Sequence, residues 1–358
     1  MERIKKFQVS ISSNDNINIT HRASGNWFPT MRLRRGPKCY LLASAAVFFI
    51  LMIYINDLTY IYSYLNNKVP VHRHVLRWSD HESKVDQRQS RIMITYKGRL
   101  GNHMFEYATL VGMAKRYNMT PIIPGDLDVL DVFKLPTLQG PLSLLREPYN
   151  TYTEERAAAY YKGVENIDPT RDAYLDGYYQ SWRYYKDVRD DLLDRHFVLH
   201  DNLQIAAKQY IQKLREDKNM PDAVLVAIHV RRGDFVRQRV KGFTVAPIPY
   251  YYRAMNYFRK KYSKVLFIIC TNDLIWAETN LDDSPDVHYS HETDGSLDLA
   301  IMISCNHMII TSGSYSWWAG YLVRGEVIYY AGYPQPNTKI GNLTVKEDYY
   351  PPNWMGIM

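Results

Sequence analysis

The sequence predicts an α/β protein: two Rossmann-like domains facing each other, behind an N-terminal transmembrane helix. Three observations predict it. From Ala223 onward, short β-branched apolar runs alternate with helix-length segments, the pattern of a parallel, doubly wound sheet. Upstream, a strand-like run over 92–96 passes through a turn with two glycines into a helix-like stretch over 103–117, the opening of a second unit of that kind. Near the start, residues 39–55 form an apolar run without a charge.

Length and composition bound the rest. A chain of 358 residues holds one or two domains, and a hydrophobic fraction of 46% supplies a sizeable core. The 31 tyrosines suit a carbohydrate cleft, but most are expected simply to pack and hydrogen-bond. The net charge of +7 is a nucleic-acid signal only until it is located. Residues 1–38 hold eight bases against two acids, so +6 of the charge lies there and the remaining chain is nearly neutral; no nucleic-acid partner is expected. With only 3 cysteines there is no disulfide framework. Cys270 and Cys305 could pair in an oxidising lumen, although two buried thiols are the favoured reading.

Taken in order, residues 1–38 are polar and basic without helical or strand period, and are expected to form a disordered cytoplasmic tail. Residues 39–55, CYLLASAAVFFILMIYI, read as a signal-anchor helix. The run falls slightly short of the usual ~20 residues, which suits the thinner membranes of the early secretory pathway. The basic stretch before it is too long for a signal peptide, and no small-x-small cleavage site follows. Positive charge on the N-terminal side keeps the tail in the cytosol and sends the rest into the lumen. This predicts a single-pass type II protein of the Golgi membrane. Residues 56–90 read as a stem, with Pro70 breaking any helix.

The first α/β domain is placed at 91–220 and the second at 221–358, joined through 218–222. Helices are expected over 187–197 and 202–214. The second domain reads as strands at 224–230, 265–270, 287–289, 308–311 and 327–330, with helices over 249–262, 273–281, 296–305 and 314–323. Of three sequons, Asn18 falls in the cytosolic tail and Asn118 precedes Met-Thr-Pro, a poor context; Asn342 is the best acceptor for a glycan.

The chemistry gathers at Ile228-His229-Val230-Arg231-Arg232-Gly233-Asp234. An apolar strand turns at once cationic at its carboxyl end, where ligands of open α/β sheets bind. Two guanidiniums, a glycine and an aspartate that can orient one arginine make a phosphate or diphosphate clamp, since the planar Arg fork bonds phosphate oxygens two at a time. The plainer alternative is a surface salt bridge.

His229-Val-Arg-Arg-Gly-Asp234 resembles the signature of the fucosyltransferase superfamily, in the form found in animal and bacterial alpha-1,2-fucosyltransferases. Two further stretches resemble that family in the same order: Gly98-Arg99-Leu100-Gly101-Asn102-His103-Met104-Phe105-Glu106-Tyr107-Ala108, and Cys305 through Thr311-Ser312-Gly313-Ser314-Tyr315-Ser316-Trp317-Trp318-Ala319. The similarity runs from about 91 to 352.

The resemblance implies a GT-B-like, inverting galactoside alpha-1,2-fucosyltransferase. It would use GDP-fucose as donor and a galactoside-terminated glycan as acceptor, with no metal and no cofactor. Arg231 would meet the diphosphate, followed by Arg232, which could instead pair with Asp234 as scaffold. His229 and Asp234 would shape the donor pocket. Gly98, Arg99, Gly101 and Asn102 would face the nucleotide-sugar across the cleft. Ser312, Gly313, Ser314 and Ser316 would lie against the diphosphate, although Ser314 also suits an ordinary helix N-cap. Asp298 would accept the N1–H and N2–H of guanine, the alternative being an exposed helix-face acid.

Asp126-Leu127-Asp128 has the form of a metal-binding acidic pair, and reads equally as exposed acids on a short helix. The segment 177–182 reads as core packing or acceptor-site lining. The catalytic base stays open among Glu106, Asp234 and Asp273. Two other functions stay open: transfer from the same donor to another sugar or to a peptide, and an inactive, glycan-binding relative.

Overall fold

The computed structural model describes residues 7–11, 16–23, 26–34 and 89–358, in two units, Met1–His72 and Arg73–Met358. In the first unit, β1 (Phe7–Ile11), β2 (Asn16–Ala23) and β3 (Asn26–Arg34) pair antiparallel in sequence order. Strand structure here corrects the expected irregular tail. Residues 16–20 read Asn-Ile-Asn-Ile-Thr, a period-two alternation, and Ser24-Gly25 between β2 and β3 is a turn signal. The many basic residues hid that pattern. The apolar run over 39–55 and the stem up to residue 88 lie outside the described residues. Among the described residues, no helix is long and apolar enough to cross a membrane.

The second unit contains two parallel sheets. The smaller has the order β6-β5-β4-β8-β7, from β4 (Arg91–Ile94), β5 (Thr120–Ile123), β6 (Leu138–Gln139), β7 (Asn150–Thr153) and β8 (Ala173–Asp176). The larger has the order β11-β10-β9-β12-β13-β14. Its strands are β9 (Val224–Val230), β10 (Val265–Thr271), β11 (Val287–Tyr289), β12 (His307–Ile310), β13 (Val327–Tyr330) and β14 (Met355–Ile357), all parallel. β9 and β10 are buried along nearly their whole length, as strands covered on both faces must be. The chain builds outward from β9 through β10 to β11, then returns to place β12 on the other side of β9. The order therefore reverses between β9 and β12, and a crevice opens at their carboxyl ends.

Helices α1 (Leu100–Tyr117), α2 (Asp201–Asp217), α3 (Gly233–Arg237), α4 (Ile248–Lys261), α5 (Leu274–Asn280), α6 (Gly295–Ile303) and α7 (Ser314–Leu322) connect the strands. The expected second-domain elements all appear, within one or two residues. Two expectations are corrected. The helix expected over 187–197 is a succession of short helical turns from Lys186 to His196. Helix α2 was assigned to the first domain, yet its Tyr210 hydroxyl lies 2.8 Å from His288 Nε2 at the end of β11 and it packs on α6, so it covers the larger sheet. Both sheets fall within one compact unit, Arg73–Met358.

The tail returns to the first half, where Asp348 carbonyl accepts from Ser181 Oγ (2.7 Å), before ending as β14. Tyr179 is fully buried and Trp182 Nε1 donates to Glu347 carbonyl, so the 177–182 segment is packing. Cys270 and Cys305 are buried free thiols. Asn342 is exposed at the end of a helical turn, Lys339–Asn342. Asn118 is exposed in the left-handed cap of α1, where its carbonyl and side-chain oxygens accept from Gln89 Nε2.

The two sheets are joined by α1 against α7. Helix α1 is buried from Met104 through Ala114. Phe105 lies 4.4 Å from the Trp317 ring and 5.2 Å from Trp318, and both tryptophans are buried. The helices meet most closely at Gly101. A Cβ there would stand 2.4 Å from Tyr315 N and 2.7 Å from Ser314 C, both backbone atoms that cannot swing aside. Gly101→Ala is therefore expected to destabilise the protein by ~1–3 kcal/mol, the usual range for forcing atoms into a packed contact. Thermal melting of the variant would read this as a fall of several degrees. An unchanged melting temperature would show that the helices are not pressed together there.

Candidate functional site

The crevice at β9 and β12 opens into a cavity of about 860 Å³. Its floor is tied together by Thr311. The Thr311 hydroxyl donates to His229 carbonyl and accepts from Arg231 N–H, both at 3.1 Å, while Thr311 N–H donates to Ser316 Oγ (3.2 Å). The ends of two neighbouring strands are thereby fixed where the chain turns from apolar to polar.

Arg231 lines this cavity, its guanidinium 2.7 Å from Asp234 Oδ1 and 5.1 Å from the Phe235 ring centre. The Asp234 contact is an ion pair by distance without hydrogen-bond geometry. Arg232 points elsewhere. It sits 3.6 Å over the Trp276 ring and its Nε donates to Asp273 Oδ2 (3.3 Å). Both expected roles of Arg232, phosphate ligand and partner of Asp234, are thus corrected: its guanidinium is stacked on indole, held at Nε by Asp273, and does not line the cavity. Asp234 acts as the partner of Arg231 and does not itself line the cavity.

His229 is buried beside Tyr315, ring centres 5.1 Å apart, with Nδ1 unpartnered. Burial and then the Arg231 charge push its pKa down to about 3, so the ring is neutral. Across the cavity, Gly98, Arg99, Gly101 and Asn102 line the other wall, as the sequence predicted. Arg99 is exposed and has no ion-pair partner among the described residues. Gly98 needs its glycine, with φ at +91°. Asn102 is a brace: its Oδ1 accepts from Ser314 Oγ (2.6 Å) and from Gln180 Nε2 (2.9 Å).

Ser312, Gly313 and Ser314 also line the cavity, at the N-terminus of α7. Ser312 Oγ is buried without a partner, and Gly313 turns at φ +87°. The N-cap alternative for Ser314 is not realised, because Gly313 holds that position and no side chain caps the helix. Ser316 is corrected: it is fully buried and spends its oxygen on Thr311 N–H.

Asp298 lines the far end, its Oδ1 accepting from Ser290 Oγ at 2.8 Å. Burial pushes its pKa up to about 6, against the opposing hydrogen bonds from Ser290 and Cys270. Of the expected bases, Glu106 is fully buried behind Lys97 N–H, and burial raises its pKa to about 9. Asp273 is paired with Arg232 and Asp234 with Arg231. The acids of Asp126-Leu127-Asp128 do not converge. Asp126 lines a second cavity, whereas Asp128 lines this one and meets His103 Nδ1 at 2.5 Å. Sequence reasoning missed Thr311, Ser290 and Tyr315, and read Asp128 only as a metal ligand or an exposed acid. Tyr315 and Thr311 stood inside a quoted motif; Ser290 and Asp128 are assembled only by the fold.

The model of glycosyl transferase family 11 matches residues 60–358. The chain belongs to this family. Its relatives include galactoside 2-alpha-L-fucosyltransferase Sec1 of Mus musculus, 33% identical over 75% of this chain and 74% of that protein. Galactoside alpha-(1,2)-fucosyltransferase 2 of Hylobates lar is 32% identical over 73% of this chain and 77% of that one. Among solved structures, the fucosyltransferase NodZ from Bradyrhizobium superposes with a TM-score of 0.45 and 14% identity, covering 68% of this chain and 97% of that one. That likeness is too loose to carry an argument about the site. The family 11 chain is a glycosyltransferase by its relatives, and the cavity is where its motifs converge.

Asp298 permits a test without ligand. Its carboxyl has a folded pKa near 6 against an ordinary 3.8. The folded state therefore binds the proton more tightly, so stability falls as pH rises from about 4 to 6 and the cost is complete above that. Asp298→Asn is expected to stabilise the unliganded protein at pH 7 by on the order of 1–3 kcal/mol, with the gain vanishing near pH 4. Melting curves of the two proteins across that range check it; a gain independent of pH contradicts the ionised, part-buried carboxylate.

Proposed function

We propose that this enzyme transfers L-fucose from GDP-β-L-fucose to the 2-hydroxyl of a terminal galactose, with inversion at the fucosyl carbon. The observation that carries the reading is Arg231 at the β9–β12 reversal, faced across the cavity by Arg99. As the C1–O bond breaks, negative charge builds on the diphosphate. Fixed cations and N–H dipoles stabilise it most where they are already oriented. Asp234 holds Arg231 in place, and the Ser312–Gly313 turn at the start of α7 adds N–H groups. At the other end, Asp298 as carboxylate matches the paired N1–H and N2–H of guanine, and Ser290 orients it. His229, neutral, packs the pocket wall.

The family and the names of the relatives support fucosyl transfer to a galactoside. The charge-stabilising groups are arginine side chains and backbone N–H groups of the protein, so the reading needs no divalent metal or cofactor. The uncharged run over 39–55, with basic residues before it, supports a signal-anchor of a type II Golgi membrane protein, the catalytic part luminal and Asn342 in the compartment where glycans are added.

Full-length protein, incubated with GDP-fucose and a panel of β-galactosides, is expected to give an α-1,2-linked product at the same rate with and without EDTA. Arg231→Ala should lose ~100-fold or more in kcat, the range for removing one preorganised charge-stabilising donor. Absence of GDP-fucose turnover by folded protein would sink the reading. Binding of GDP should weaken as pH falls below about 6, where Asp298 takes up its proton, and calorimetric titration at pH 5 and pH 7 checks this. Equal affinity at both would remove Asp298 from the base pocket.

A further inference from the structure

A second cavity, of about 850 Å³, lies at the carboxyl edge of the smaller sheet, lined by residues other than those of the β9–β12 cavity. Its lining includes Tyr96, His103, Asp126, Gln139 and Tyr174. Two of these side chains present polar atoms that find no partner in the protein: the Tyr96 hydroxyl and Gln139 Oε1, the latter on a side chain 5% exposed. Buried polar atoms without partners are costly and uncommon, and both stand on residues that line this cavity.

His103 stands between the two cavities. It lies in the first turn of α1, with its ring edge-on to Tyr96 at 5.7 Å between centres. Its Nδ1 meets Asp128 Oδ1 at 2.5 Å, and Asp128 lines the donor cavity while His103 lines the other. A carboxylate accepts and cannot donate, so the proton of the pair sits on Nδ1, the tautomer whose lone pair is on Nε2. Nε2 has no hydrogen-bond partner among the described residues. The three carboxylates that sequence offered as bases are each committed elsewhere, to Lys97 N–H, Arg231 and Arg232.

We propose that the cavity at the edge of the smaller sheet holds the acceptor sugar and that His103 is the general base, with Asp128 fixing its tautomer. The step balances. The acceptor O–H bond breaks and its proton passes to Nε2. The oxygen forms its bond to the fucosyl C1, and the C1–O bond to the diphosphate breaks with its electron pair left on the β-phosphate. The Gln139 carboxamide meets a sugar hydroxyl in the cavity. His103 and Asp128 form the histidine–carboxylate arrangement of other base dyads, in which the carboxylate orients and does not itself take the proton.

This rests on the fucosyl transfer read above, and its test separates the two. Full-length His103→Gln should lose about 100-fold or more in kcat, the range for a positioned base, while calorimetric affinity for GDP stays within a factor of two. His103→Ala should regain part of the loss with added imidazole. Asp128→Asn should lower kcat and shift its pH profile, because Asn no longer enforces the tautomer. Gln139→Leu should raise the acceptor KM severalfold with kcat nearly unchanged. The comparison of wild type with His103→Gln runs equally on hydrolysis of GDP-fucose by water, so it tests the base even if no galactoside is accepted, which would overturn the acceptor reading alone. A His103→Gln enzyme with full kcat and intact GDP binding overturns the base, and an unaltered acceptor KM in Gln139→Leu overturns the cavity.

Discussion

The structure depends on the close approach of α1 to α7. At Gly101 the two backbones leave no room for a Cβ, and Asn102 Oδ1 joins Ser314 Oγ to Gln180. That contact brings the turn after β4 against the turn after β12. Each turn alone is a strand–glycine–helix connection of a common kind. Pressed together, they line opposite walls of one cavity and bring Arg99 and Arg231 into it from different sheets. Phe105 against Trp317 and Trp318 holds the geometry from behind with a dry aromatic layer.

The larger sheet was legible because its two central strands, β9 and β10, are seven residues long, rich in β-branched residues and buried on both faces. Periodicity alone therefore located β9 to β13 almost to the residue. The smaller sheet was not. Its strands are two to four residues long, and β7 alternates half-buried and exposed residues, Asn150 to Thr153, without an apolar signal. Short edge strands take their register from neighbours, which a sequence does not show. Helix α2 was misassigned because an amphipathic face announces that it will be covered, not which sheet will cover it.

The site was legible where a motif is local. Arg231, Ser312, Gly313, Gly98 and Asp298 all line the cavity. Adjacent residues of one motif diverged because a strand end sends successive side chains to opposite sides. Arg231 enters the cavity and Arg232 stacks on Trp276. Ser316 failed for a related reason: one turn into α7 it faces back toward β12 and serves as a hydrogen-bond acceptor for the floor. His103 with Asp128 was invisible because 25 residues separate them and the pair exists only once β5 has returned beside β4.

Everything proposed here turns on a nucleoside diphosphate lying across the β9–β12 crevice. A crystal structure of the full-length protein with GDP tests it most directly. The account predicts the diphosphate between Arg231 and Arg99 at the start of α7, with guanine on Asp298. A diphosphate bound at Arg232 and Trp276, or in the cavity beside His103, would contradict it.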